Sequence, residues 1–478
     1  MIQPVDYEGL YFNGKHDELT EKVDLSNLET SINLKSDNLL PFYFLSKSYE
    51  RNGFLNEAWE IISLIERKLS KFTNSNENLA MLIYINLKIE LMSKKGLNKE
   101  ALLYLPIFGE HIEDNQLLPN LTTNEKFISL YYFNFGVIYQ NIGEFGEAFK
   151  FYQKALAIIS NNERFFPFCS EIFNKIGEIF MEKGEYLYAN HNLEMALELS
   201  EKYNHTHAKI AILLSITNLN MCLENYCESK NILETLFAII SRNDLLKDVN
   251  MLAKIFFTNF MFQIRLNEQK DILESSYKSF IKNISSLKNQ HTPLINFIVL
   301  LVKGIYFHRK NNLDSIEQAK NILESCSLFD GIDITLSIIA RKELCEIYLK
   351  EMKYLKKSEI IPRLQSLIKE LLNQAKKNHF YPLLIEVYLL QSNMELYLNS
   401  KYNISNSEKY LLLADIISQE KNIRQLTSKI VSSEIKFKDQ IERWQHFVQS
   451  KPLQKVSSLQ NNPYYKDLKD LLLTHRPG

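Results

Sequence analysis

The sequence predicts an all-α fold, an α-α superhelix of about ten helical hairpins followed by a long C-terminal helix. The first observation behind this is a fixed offset. Gly14, Gly53, Gly96, Gly143 and Gly184 each stand five residues ahead of a small or apolar anchor, respectively Leu19, Ala58, Ala101, Ala148 and Ala189. The second is helical spacing after the anchor, as in Ala58/Ile62/Ile65, Ala101/Leu105/Phe108, Ala148/Tyr152/Ala155 and Ala189/Leu193/Ala196. Steps of four and three put such side chains on one helical face. The third is the period. The same pattern continues without its glycine at Ser229, Leu273, Ala319, Leu364 and Ser407, so that successive anchors lie 39 to 47 residues apart. Two helices per unit at that spacing describe a solenoid in which each hairpin buries its apolar face against its neighbours.

Taken in order, the best-defined units are 36–70 and 125–201. The glycine suits the turn between the two helices of a hairpin, where the chain needs a residue that tolerates positive φ. In the first helices, Gly136 and Gly177 lie twelve residues before their anchors, and Tyr139 and Phe180 lie nine before. A small side chain there lets the helices of a hairpin approach closely, and the aromatic fills the adjacent gap. Ser46 and Tyr49 hold the same offsets from Ala58. Pro41, Pro167, Pro293 and Pro382 fall near the starts of first helices, where a missing amide proton costs nothing.

Residues 1–420 therefore read as one helical repeat array, 421–451 as a long helix and 452–478 as a tail with a short amphipathic helix. In the long helix Ile423, Ile430, Phe437 and Trp444 recur every seven residues, with Ile441 and Val448 beside them. The segment reads first as a cap over the apolar end of the array, which solenoids require for solubility. A coiled-coil seam for a homodimer is the alternative. In the tail the apolar positions are Tyr464, Tyr465, Leu468, Leu471 and Leu472.

The residues Tyr132, Phe135-Gly136, Tyr139, Ala148, Tyr152 and Ala155 resemble the signature of the tetratricopeptide repeat family: a large residue, Leu-Gly, an aromatic, then Ala, an aromatic and Ala. Ile176-Gly177, Phe180, Ala189, Leu193 and Ala196 give a second match, and the resemblance extends over residues 4–420. The repeat exceeds the usual ~34 residues, so it is similar to the extended-repeat variant of the family. The resemblance implies a superhelix whose first helices line a concave groove that holds a peptide or a partner protein. It places Leu40, Tyr43 and Lys47 on that face in one unit, and Leu130, Phe133 and Gln140 in another. Glu171, Asn174 and Glu178 follow in a third, and Leu214, Asn218 and Met221 in a fourth. The basic clamp by which some family members read chaperone C-termini is missing, because the equivalent positions hold Phe133, Val137, Asn174 and Leu214. Cytoplasmic receptors for quorum-sensing peptides also resemble this array. They often carry an N-terminal DNA-binding domain, for which there is no room before the first hairpin at residue 4.

Other chemistry is weakly signalled. Fifty-six basic and 57 acidic side chains leave a formal charge of −1, which gives no global drive toward nucleic acid or an anionic membrane. Apolar stretches near 251–262 and 294–302 are interrupted by Lys254 or closed by Lys303 and fall short of the ~20 residues of a membrane span. The N-terminus has no secretory pattern, and five cysteines without a Cys-x-x-Cys pair read as reduced thiols, so the expected compartment is the cytoplasm. His205-Thr-His207 lacks the spacing of a helical metal site, and no phosphate loop, nucleophile elbow or kinase motif is present. Neither a metal, a cofactor nor catalysis is expected. The function expected is a protein–protein interaction scaffold that binds a peptide or protein ligand, with a peptide-responsive regulator as the alternative.

Overall fold

The computed structural model describes residues 18, 21–23, 36–69, 78–106, 121–160, 162, 165–242, 248–266, 270–287, 292–329, 331–355, 358–398 and 404–449. Among these residues the regular elements are nineteen α-helices and four short 3-10 turns, with no strand. The helices pair in chain order. The first hairpins are α1 (Ser36–Arg51) with α2 (Leu55–Leu69), α3 (Asn78–Lys94) with α4 (Asn98–Ala101), and α5 (Leu121–Asn141) with α6 (Phe145–Ile159). Next come α7 (Phe166–Lys183) with α8 (Tyr186–Lys202), α9 (Thr206–Cys222) with α10 (Tyr226–Arg242), and α11 (Val249–Leu266) with α12 (Lys270–Ser285). The series continues through α13 (Pro293–Lys310) with α14 (Leu313–Ser325), α15 (Ile334–Leu355) with α16 (Ile361–Asn378), and α17 (Tyr381–Tyr397) with α18 (Ile404–Glu420). Last comes α19 (Thr427–Gln449). Gly14, Leu19 and the tail from 450 onward lie outside the described residues.

The hairpin geometry follows from the anchors. Ala58, Ala101, Ala148, Ala189, Ser229, Ala319, Leu364 and Ser407 are wholly buried, and Leu273 is nearly so. Gly136 and Gly177 act as predicted: a Cβ added to them would lie 2.4 Å from the Tyr152 ring and 2.8 Å from Leu193 respectively, so a larger residue would push the hairpin open. The second hairpin departs from expectation. Its second helix stops at Ala101 and tightens into a 3-10 turn at Leu102–Tyr104. Pro106 has no amide proton for the carbonyl of Leu102, so the regular i to i−4 ladder fails there. Phe108 lies outside the described residues.

The turns explain the punctuation of the sequence. Gly53, Gly96, Gly143 and Gly184 all have φ between 77° and 84°. In the α9–α10 turn the same place, five residues before anchor Ser229, is held by Glu224 with φ 59°. The left-handed conformation costs a residue with a Cβ roughly 1 kcal/mol. Glu224→Gly should therefore raise stability by about 0.5–1 kcal/mol in urea unfolding. A loss of stability would show that Glu224 makes compensating contacts.

Packing divides the chain into two compact units: Met1–Met181 with Glu185–Ala340, and Arg341–Gly478 with Glu182–Gly184. In the first unit the array returns toward its own start. Asn98 Nδ2 donates to the carbonyl of Gly331, and a Cβ on Gly96 would lie 2.9 Å from Ile332. The turn between α3 and α4 thus meets the loop that precedes α15. In the second unit, Ile423, Ile430 and Phe437 are buried within the single chain. The side chains of Ile441, Trp444 and Val448 lie outside the described ones.

Candidate functional site

A first helix in a solenoid packs against its hairpin partner and against both neighbouring hairpins, so only a narrow strip remains for its inner face. In the first unit that strip is polar, and its side chains bond to one another from hairpin to hairpin. Lys47 on α1 pairs with Glu90 on α3, and Lys94 lies 3.2 Å from Glu50. Asn134 on α5 donates to Asn86 Oδ1 on α3 at 3.2 Å, and Asn141 Nδ2 donates to Ser93 Oγ at 3.0 Å. Glu178 on α7 gathers four donors: Gln140 Nε2 at 3.1 Å, Asn174 Nδ2 at 3.3 Å, Lys175 Nζ at 2.8 Å and Ser215 Oγ at 3.2 Å. Farther along, Thr258 on α11 donates to Asn218 Oδ1 on α9 at 3.3 Å. Lys254 on α11 forms a 2.9 Å ion pair with Asp333.

The ladder also closes across the interior of this unit. Asp248, just before α11, takes a hydrogen bond from the amide of Met251 at 2.9 Å and lies 3.1 Å from His207 Nε2. Burial alone would raise its carboxyl, but the His207 hydrogen bond and the charge of Lys94 hold it well below the usual carboxylate range. Lys94 stands at the end of α3, so side chains from the second and sixth hairpins share one field. Since Asp248 is ionised, His207 Nε2 carries the proton that bonds to it, and Nδ1 is left as an acceptor. Burial and then Arg51 lower the His207 pKa in spite of Asp248. Glu178 is likewise held ionised: burial opposes it, but Lys175, its hydrogen bonds and Lys254 prevail. Of the two carboxyls around Lys47 and Lys94, burial and Glu50 push Glu90 up, while the lysines bring Glu50 down against its own burial.

Three buried acceptors on this face have no hydrogen-bond partner: Glu90 Oε2, Asn174 Oδ1 and His207 Nδ1. Asn174 is 4% exposed. A buried acceptor left unmatched costs about 1–3 kcal/mol, so sites that keep several are suited to a ligand that brings donors.

The predicted groove residues separate by chemistry. Lys47, Gln140, Glu171, Asn174, Glu178 and Asn218 belong to the polar strip, with Glu171 3.6 Å from His205 Nε2. The apolar ones pack. Tyr43 is buried with its ring edge-on to Phe127 at 5.5 Å, and Leu40 and Leu130 lie against the same core. Phe133 bridges to Tyr152 and Phe168 at 5.7 and 5.3 Å, while Leu214 and Met221 sit in the core of the next hairpins. Sequence reasoning passed over Glu90, Lys94, Asp248 and Asp333, and weighed His207 only as a metal ligand and Lys254 only as a break in an apolar stretch. The signal that marks several of these contacts is a polar residue whose partner lies one repeat away. Lys47 and Glu90 are 43 apart, Asn86 and Asn134 are 48 apart, and His207 and Asp248 are 41 apart.

A helical-repeat array with a polar inner strip is the class that this fold and site define. No protein-family model and no curated protein matches the sequence. A solved structure, described as the crystal structure of a Rap protein complexed with competence and sporulation factor, is similar over 84% of this chain and 100% of that one, with a TM-score of 0.51 and 12% identity. That likeness places the chain among tetratricopeptide-like helical repeat folds. Among the described residues no helix is long and apolar enough to cross a membrane.

Proposed function

We propose that this chain is a non-catalytic scaffold of the extended tetratricopeptide type, which holds a peptide or an extended segment of a partner protein along the inner strip of its first unit. The observation that carries the reading is the set of unpartnered buried acceptors, above all Asn174 Oδ1. Backbone amides of an extended peptide supply donors of the kind they lack. The similar Rap protein was solved with a bound factor, which supports the same use of this fold.

A second reading, a peptide-responsive cytoplasmic regulator that acts through a protein partner, is favoured by the contact of Asn98 with Gly331. A ligand that spreads or tightens the inner strip changes that contact, and with it the surface offered to a partner.

The test compares what wild type, Asn174→Ala/Asn218→Ala and the outer-face control Glu194→Ala/Glu198→Ala retain from cell lysate, with bound proteins and short peptides read by mass spectrometry. The expected result is a ligand kept by wild type and control and reduced at least tenfold by the inner-face variant. A ligand kept equally by all three moves the site elsewhere and sinks the proposal.

A further inference from the structure

The second unit leaves one helix without its hairpin partner among the described residues. By position α19 is a first helix, because nine pairs precede it among the described residues. Its charges agree: Glu386 on α17 pairs with Lys342 on α15 and with Lys429 on α19, 44 and 43 residues away. That register aligns α19 with α17. Tyr388 and Ser392 of α17 both meet their second helix, α18. The Tyr388 ring stacks on Tyr410 at 6.0 Å, and the Ser392 and Ser407 hydroxyls are 2.8 Å apart. Forty-three residues on, the same positions in α19 hold Val431 and Ile435. They are 46% and 53% exposed, against 9% and 1% for Tyr388 and Ser392. The apolar pair therefore lies on the face that a second helix covers in the preceding hairpin.

The chain carries a candidate for that helix. Tyr464, Tyr465, Leu468, Leu471 and Leu472 fall within an arc of about 120° on a helical projection, and Lys466, Asp467, Lys469 and Asp470 occupy the remainder. Residues 450–463 between α19 and this segment reach up to ~46 Å when extended. From Gln449 back to Ile435 along the helix is about 21 Å. The connection is long enough for the segment to return antiparallel beside α19.

We infer that residues 464–472 form the second helix of a tenth hairpin and dock through Leu468, Leu471 and Leu472 on the Val431/Ile435 face of α19. The occupant is the chain's own tail. A second copy of the chain seated on this face is the competing outcome, and the test separates the two.

The test uses the full chain with Cys222→Ser and Cys227→Ser, which removes the two cysteines that are not buried. Ile435→Cys is combined in turn with Leu468→Cys, Leu471→Cys, Leu472→Cys or, as a control on the opposite face, Lys466→Cys. Mild oxidation is followed by non-reducing gels and peptide mass spectrometry. An intrachain disulfide that forms at least tenfold faster with one of the leucine positions than with the control is expected. A disulfide-linked dimer assigns the face to a second copy, and equal rates at all four positions leave the tail undocked; either result overturns the inference. An independent readout is hydrogen exchange over 427–439 in full-length Leu468→Asp, which should quicken about tenfold relative to wild type. Unchanged exchange there would count against docking even if a disulfide can be trapped.

Discussion

Ala148→Glu is expected to lower the stability of the first unit by about 4 kcal/mol, enough to leave its central hairpins unfolded at moderate temperature. Ala148 is wholly buried and belongs to the stripe Ala148/Tyr152/Ala155, every member of which is fully inside. A carboxylate at that position has no basic partner within the hairpin interface. It must either stay charged in an apolar setting or take up a proton, and both are costly. The measurement is urea unfolding followed by Trp59 fluorescence and by helical circular dichroism. Glu194→Ala on an exposed face serves as the control, with an expected change within ±0.5 kcal/mol. An unchanged midpoint for Ala148→Glu would mean that the repeat register is wrong.

Asp248→Ala is expected to cost about 3 kcal/mol, from the loss of the bond to the amide of Met251, worth about 1 kcal/mol, and of the charged hydrogen bond from His207, worth about 2 kcal/mol. Asp248→Asn, which keeps an acceptor for the helix amide, should lose less. The pH dependence follows from the direction of each shift. Asp248 has a folded pKa below its unfolded value, so its contribution is complete above about pH 4 and is lost as the pH falls further. His207 is also depressed, and its neutral form is the one the fold prefers. Its contribution is complete above about pH 6.5 and declines as acid forces a proton onto the partly buried ring. Wild-type stability should therefore fall as the pH drops below about 6.5, and His207→Gln should flatten that limb. A limb that is as steep in His207→Gln as in wild type assigns the acid sensitivity to other groups.

The architecture was legible because its determinants are local. Glycines at 53, 96, 143 and 184 mark turns where φ is positive, and the small residues at 136 and 177 mark places where Tyr152 and Leu193 press in. Anchors without a glycine, such as Ser229 and Ser407, still kept the period, since a buried second-helix face tolerates any small residue. The inner strip was legible only in part. Lys47, Asn174 and Glu178 can be read from one helix at a time, but Glu90 and Asp248 acquire meaning only when repeats are laid side by side. Tyr43, Leu214 and Met221 show the other difficulty. An apolar residue near the inner edge of a first helix has three neighbouring helices to choose from, and it takes the driest of them.

The contact of Asn98 with Gly331 joins residues 233 positions apart in an array whose other contacts are mostly between neighbours. An open array behaves as a row of dominoes in which end units can fray and middle units can be added or removed at little cost to the rest. Tying the second hairpin to the loop before α15 turns that row into a hoop. The hairpins between them are then fixed in number as well as in sequence, because one more or one fewer would shift Gly331 away from Asn98. Within the first unit, inserting or deleting a whole hairpin between these two points should therefore break the contact.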